Sequence, residues 1–65
     1  MYPNVRAEMS RQGLTQTDVS KIWNVTVPTV SLKLSGKYPI TLDEAVKLKK
    51  ELNTTLSLEE LFKRG

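Results

Sequence analysis

The sequence contains no cysteine and no histidine. Without cysteine there is no disulfide framework, and without both residues there is no Cys/His metal site and no imidazole base. Catalysis would have to rest on carboxylates or lysines. The acidic residues fall mainly at helix starts and on helix surfaces, so the sequence reads as a non-enzyme, with no cofactor and no small-molecule ligand in evidence. No apolar run approaches the roughly 18 residues of a membrane span, and nothing resembles a signal peptide. A cytoplasmic protein with no membrane partner is expected. Glycine is scarce, and of the three prolines only Pro28 and Pro39 lie inside the chain. There is no low-complexity segment, internal repeat or linker.

What is present is a short, weakly basic chain. Its 65 residues allow one domain, 1–65, with one small core. Burial in a chain of this length barely offsets conformational entropy, so local signals must be strong or the chain must associate. The net charge of +3, from ten Lys/Arg against seven Asp/Glu, leans only slightly towards an anionic partner.

The local signals are strong. Thr15, Thr26, Thr41 and Ser57 each follow an apolar residue and precede another at the fourth helical position: Leu14 with Val19, Val25 with Val30, Ile40 with Ala45, Leu56 with Leu61. This is the hydrophobic staple around a hydroxyl N-cap. Thr41 with Glu44 and Ser57 with Glu60 read as full capping boxes, and Thr15 with Asp18 as a shorter version. Pro3 suits a first helical turn and Asn4 is a candidate cap. Gly13 is a good left-handed residue to end the first helix. The spacing predicts helices over about 4–12, 16–23, 27–34, 42–52 and 58–63. VTVPTV is rich in β-branched residues, but Pro28 would spoil a central strand and fits a helical first turn. The expected fold class is all-α, a compact five-helix bundle.

The stretch from Gln16 to Gly36 organises the rest. Val19, Ile22, Trp23, Val25, Val30 and Leu34 keep helical spacing, interrupted only around 24–26, so a second helix can lie across the first with its opposite face free. Asn24 lies in that interruption, and asparagine tolerates positive φ better than other non-glycine residues.

These residues resemble a known family. Gly13, Leu14, Thr15, Gln16, Val19, Ser20, Ile22, Trp23, Asn24 and Val25, then Thr26, Val30, Ser31 and Ser35-Gly36-Lys37, resemble the helix-turn-helix signature of phage repressors and Cro proteins, the Xre-type regulators. The likeness continues through TLDEAVKLKKEL and SLEELF. The resemblance implies a lambda-repressor-like domain with its motif over 16–36, acting as a sequence-specific transcriptional regulator on double-stranded DNA. It implies that helix 27–34 enters the major groove, and that a homodimer reads a palindromic operator. Gln16, Lys37 and Tyr38 would grip phosphates, with Arg11 a weaker candidate. Trp23 is a packing residue. The chain is either a complete Cro-sized protein or a domain of a longer repressor. Phe62 and Leu58 are candidates for a dimer contact.

Two departures from the family matter. Many relatives carry an Arg–Glu pair at the positions of Met9 and Leu34, flanked by apolar residues where this chain has Glu8 and Lys33. Met9 is therefore expected to pack on Leu34, and Glu8 to pair with Lys33. The base-reading positions correspond to Val27, Pro28 and Leu32, with Thr26, Thr29, Ser31 and Ser35 around them. None is Arg, Lys, Asn or Gln, the side chains that bond base edges in bidentate fashion. Such a face suits thymine methyls, single hydroxyl contacts and DNA shape. The alternative is a protein-interaction module, antirepressor-like or antitoxin-like, using the same apolar face.

Overall fold

The computed structural model describes residues 2–65. Five helices follow one another: α1 (Pro3–Gln12), α2 (Gln16–Trp23), α3 (Val27–Leu34), α4 (Leu42–Leu52) and α5 (Leu58–Leu61). No strand occurs among the described residues. Four helices match the expected boundaries to within a residue. The fifth is shorter, because the chain leaves helical geometry at Phe62, with φ −99° and ψ 20°.

Three starts are capping boxes in both directions. The hydroxyls of Thr15, Thr41 and Ser57 accept from the amides of Asp18, Glu44 and Glu60, whose carboxylates accept from the cap amides in return. The apolar residues before these caps, Leu14, Ile40 and Leu56, are partly buried against the core. At roughly 1 kcal/mol per cap, the three are a substantial fraction of the stability available to a domain this small.

The other two starts differ from expectation. Thr26 stands at the cap of α3 in extended geometry, but its hydroxyl makes no cap bond. Pro28 offers no N–H at the second helical position. At the third position Thr29 supplies a hydroxyl rather than a carboxylate, and the two threonine oxygens bond each other at 2.9 Å. Asn4 is likewise not a cap. Tyr2 occupies that position, and the Asn4 amide donates to the carbonyl of Glu60 at 2.7 Å, tying α1 to α5.

Left-handed residues close α1 to α4. Gly13 has φ 70° and Asn24 φ 56°, as the turn readings required. The amide of the next residue then reaches back to an orphan carbonyl, Leu14 to Met9 at 2.9 Å and Val25 to Ser20 at 3.0 Å. Gly36 does the same after α3, with Lys37 N–H donating to Leu32 O at 3.0 Å. Asn53, at φ 47°, ends α4 with its own amide donating to the carbonyls of Lys49 and Lys50, and was not singled out from the sequence.

The core sits where all five helices meet. Val5 and Met9 come from α1, Val19 and Trp23 from α2, Val30 and Leu34 from α3. Ala45, Leu48 and Leu52 come from α4, and Leu61 from α5. Each sealed Val or Leu contributes on the order of 1.5–3 kcal/mol. α2 packs on α3 and α4, while α1 packs on α4 and α5 rather than on α3. That arrangement explains one correction. Glu8 does not meet Lys33: it bonds Arg11 and Gln12 on its own helix, and Lys33 turns instead to Glu44 on α4. Met9 and Leu34 are both buried and line one surface recess.

Candidate nucleic-acid interface

α3 is held by its inner face. Val30 and Leu34 enter the core, and Lys33 folds over towards α4, where its Nζ donates to both Glu44 oxygens at 2.7 Å. The same ammonium lies 6.0 Å from the centre of the Trp23 ring, whose Nε1 donates to the Glu44 carbonyl at 2.8 Å. Burial alone would push the Glu44 carboxyl up. Lys33 and the Thr41 amide outweigh it and hold the group below its ordinary value. Trp23 is thus a packing residue, and this junction fixes the rotation of α3 about its axis.

With that rotation fixed, Thr26, Val27, Pro28, Ser31 and Ser35 are exposed, and Thr29 and Leu32 half-buried. All seven groove candidates lie off the core, so the expected face exists as a face. Its hydrogen-bonding capacity is small. Thr26 and Thr29 satisfy each other, and the Ser35 hydroxyl donates to the Leu32 carbonyl at 2.9 Å. Ser31 is left as the hydroxyl with no hydrogen bond to the chain among the described residues. Half-burial of Leu32 shortens its reach, leaving Val27 and Pro28 as the most prominent apolar groups.

The four phosphate candidates fare unequally. Gln16 is the first residue of α2, half-buried, beside the capping box of Thr15. Lys37 and Tyr38 are exposed in the turn after α3, with both backbone amides tied to Leu32 O. Neither Gln16 nor Tyr38 makes a side-chain hydrogen bond to the described residues, and Lys37 has no acidic partner among them. Arg11 is different. Its guanidinium is engaged by Glu8, which raises its pKa and lowers that of the carboxyl, so the Arg11 charge already has a partner on its own helix.

Arg6 was not singled out from the sequence. It lines a recess with Met9, Ser10, Leu14, Gln16 and Leu34, placing a cation beside Gln16, and it has no acidic partner among the described residues. The signal was available, since Arg6 and Ser10 are one helical turn apart on α1, but the recess they share with Gln16 was not. Arg64 was also missed. It donates to the Gly36 carbonyl at 3.0 Å and stacks on Tyr2 at 5.6 Å, pinning the turn that carries Lys37.

Charge is distributed unevenly around this face. Asp18 is the single acid between residues 9 and 42, and Thr15 holds its carboxyl in the capping box and lowers its pKa. Asp43, Glu44, Glu51, Glu59 and Glu60 all belong to α4, α5 and their caps. The surface around α3 is therefore neutral to basic. Among the described residues there is no acidic cluster able to hold a metal ion and no helix long and apolar enough to cross a membrane. No family model matches the chain, and no curated protein or solved structure matches it.

Proposed function

We propose that the protein binds double-stranded DNA as a transcriptional regulator of the lambda-repressor-like, helix-turn-helix type, with α3 in the major groove. One observation carries this reading: α2 and α3, joined through left-handed Asn24, bury one face of α3 and leave the other free of acidic side chains. An eight-residue helix is about 12 Å long, comparable with a major groove about 12 Å wide. Cations and donors flank the C-terminal half of α3: Lys37 and Tyr38 follow it, and Arg6 and Gln16 share the recess of Leu34. Phosphate contacts position a protein while base contacts specify the site. In this arrangement Gln16, Arg6, Lys37 and Tyr38 position. Val27, Pro28 and Leu32 read thymine methyls, and Ser31 gives a free hydroxyl. Two such domains on half-sites about one helical turn apart offset the small contact area of each.

The test is duplex binding as a function of salt, followed by selection from a random duplex pool at one stated salt concentration. Affinity falling steeply and linearly with log salt, with thymine-containing sites enriched, is the expected result. Exposure of Val27 and Pro28 favours a second reading, in which the same face docks on a protein partner. Duplex binding that is absent or indifferent to salt would select that second reading.

A further inference from the structure

The turn that carries Lys37 is tied from two sides. From within, the amides of Lys37 and Tyr38 donate to the Leu32 carbonyl at 3.0 and 3.4 Å, and that of Gly36 to Lys33 O at 3.1 Å. From outside α3, one side chain bonds this turn among the described residues, the Arg64 guanidinium, with Nη2 at 3.0 Å from the Gly36 carbonyl. Gly36 is left-handed, at φ 90°. The oxygen that Arg64 holds belongs to the peptide joining Gly36 to Lys37, where the chain reverses.

Arg64 is itself held in place. Its guanidinium carbon lies 5.6 Å from the centre of the Tyr2 ring, within reach of a cation–π contact. Tyr2 is buried and meets the Phe62 ring edge-on at 5.7 Å. Asn4 adds a bond to the Glu60 carbonyl at 2.7 Å, so the start of α1 and the segment around α5 form one support. None of the ion pairs among the described residues involves Arg64. A lysine on a loose turn must give up its freedom to meet a phosphate, and that cost is taken from affinity. A turn ordered beforehand avoids it. We propose that Arg64 is a positioning residue for DNA binding: through the Gly36 carbonyl, with the Tyr2 ring as its platform, it presets Lys37 for a phosphate. The inference rests on the DNA reading above. It adds that two residues outside the helix-turn-helix stretch set part of the affinity, equally for every duplex sequence.

Two measurements test this. In the free protein, Arg64→Ala is expected to speed amide hydrogen exchange at Lys37 and Tyr38 several-fold, while Val30 and Leu48 in the core keep their protection. In duplex titrations over a range of salt, Arg64→Ala should weaken binding about three- to tenfold and leave the salt slope unchanged, because no phosphate contact of its own is lost. On a Lys37→Ala background the same change should cost less than about twofold, since its effect passes through Lys37. A chain of 65 residues is within reach of chemical synthesis, so citrulline can stand in place of Arg64. Its urea keeps the planar shape and the NH₂ donor without the charge, and it should bind within about twofold of wild type. Unchanged exchange at Lys37, or effects of Arg64→Ala and Lys37→Ala that multiply independently, overturns the proposal. A slope flattened by about one unit, with citrulline no better than alanine, overturns it in favour of a direct phosphate contact. A wild type that binds no duplex overturns the DNA reading and the phosphate role of Arg64 with it. The exchange comparison needs no DNA, so it would then still decide whether Arg64 orders the turn.

Discussion

Glu44→Gln is the substitution with the widest consequence for so small a change in shape. The carboxylate accepts from Lys33 Nζ at 2.7 Å on each oxygen and from the Thr41 amide at 3.0 Å. Glutamine keeps the cap, because its carbonyl oxygen serves a capping box as well. What it loses is the charge. Hydrogen bonds to charged groups are worth roughly 1.5–3 kcal/mol, and removing one partner of a buried pair costs about 3–5. The two side chains here are 14% and 13% exposed, so some solvent reaches them and the lower part of that range applies. A loss of about 2–3 kcal/mol is expected, against roughly 3–10 kcal/mol for 65 residues at 0.05–0.15 each. Thermal denaturation followed by circular dichroism should show the midpoint falling by roughly 10–20 °C. Lys33→Met should cost less, about 1–2 kcal/mol, because the stranded carboxylate keeps the Thr41 amide. The double variant should be milder than the sum by about 1–2 kcal/mol, since with both charges removed neither is left unpaired. Acid adds a sign to check. The folded Glu44 carboxyl lies below its unfolded value of about 4.3, so its stabilisation is complete above that pH and is lost as pH falls through the folded value. Wild type should therefore lose stability in acid faster than Glu44→Gln. Additive single effects, or a midpoint barely moved by Glu44→Gln, would refute this account of the junction.

Asn24→Gly should be neutral or slightly stabilising at φ 56°, whereas Asn24→Val should cost on the order of 1–2 kcal/mol; urea denaturation decides, and a tolerated valine would contradict the strained turn. Lys37→Ala should weaken binding about equally for selected and unrelated duplexes and flatten the salt slope by about one unit per monomer, while Gln16→Ala should weaken binding and leave the slope unchanged. A loss confined to one sequence would instead make Lys37 a base reader. Replacing thymine by uracil under α3 should cost about 1 kcal/mol per buried methyl, and Leu32→Ala or Val27→Ala should erase part of that difference. Uracil that changes nothing in a fluorescence-anisotropy titration would remove methyl reading.

Much of the fold was legible because the sequence marks helix ends more clearly than helix middles. Each capping box binds residues three apart, and each left-handed closure depends on one residue, so both can be read locally. The misreadings were of two kinds. At Thr26 the hydroxyl signal was present, but Pro28 and Thr29 changed what it could bond. Lys33 and Glu8 shared a plausible pairing only if α1 approached α3, and the packing of α1 on α4 and α5 is a property of the whole core. The candidate interface follows the same division. Which residues of α3 face outward was fixed by period alone. Which hydroxyls are already satisfied, and that Arg11 is paired with Glu8, depend on side-chain rotamers within one turn, while the recess shared by Arg6 and Gln16 depends on how separate segments pack.

The single tryptophan has a use beyond packing. Its indole donates to α4, lies under an ammonium from α3 and belongs to α2, so one chromophore touches three helices at the point where the outer face of α3 is oriented. A lysine nearby and a hydrogen-bonded Nε1 both influence the emission of an indole. The two tyrosines sit elsewhere, Tyr2 against Phe62 and Tyr38 in the open turn. Selective excitation of Trp23 would therefore follow any loosening or rotation of α3 in the unlabelled protein. Events confined to the α4–α5 face, or to the contact between the two chain ends, would pass with little change in its signal.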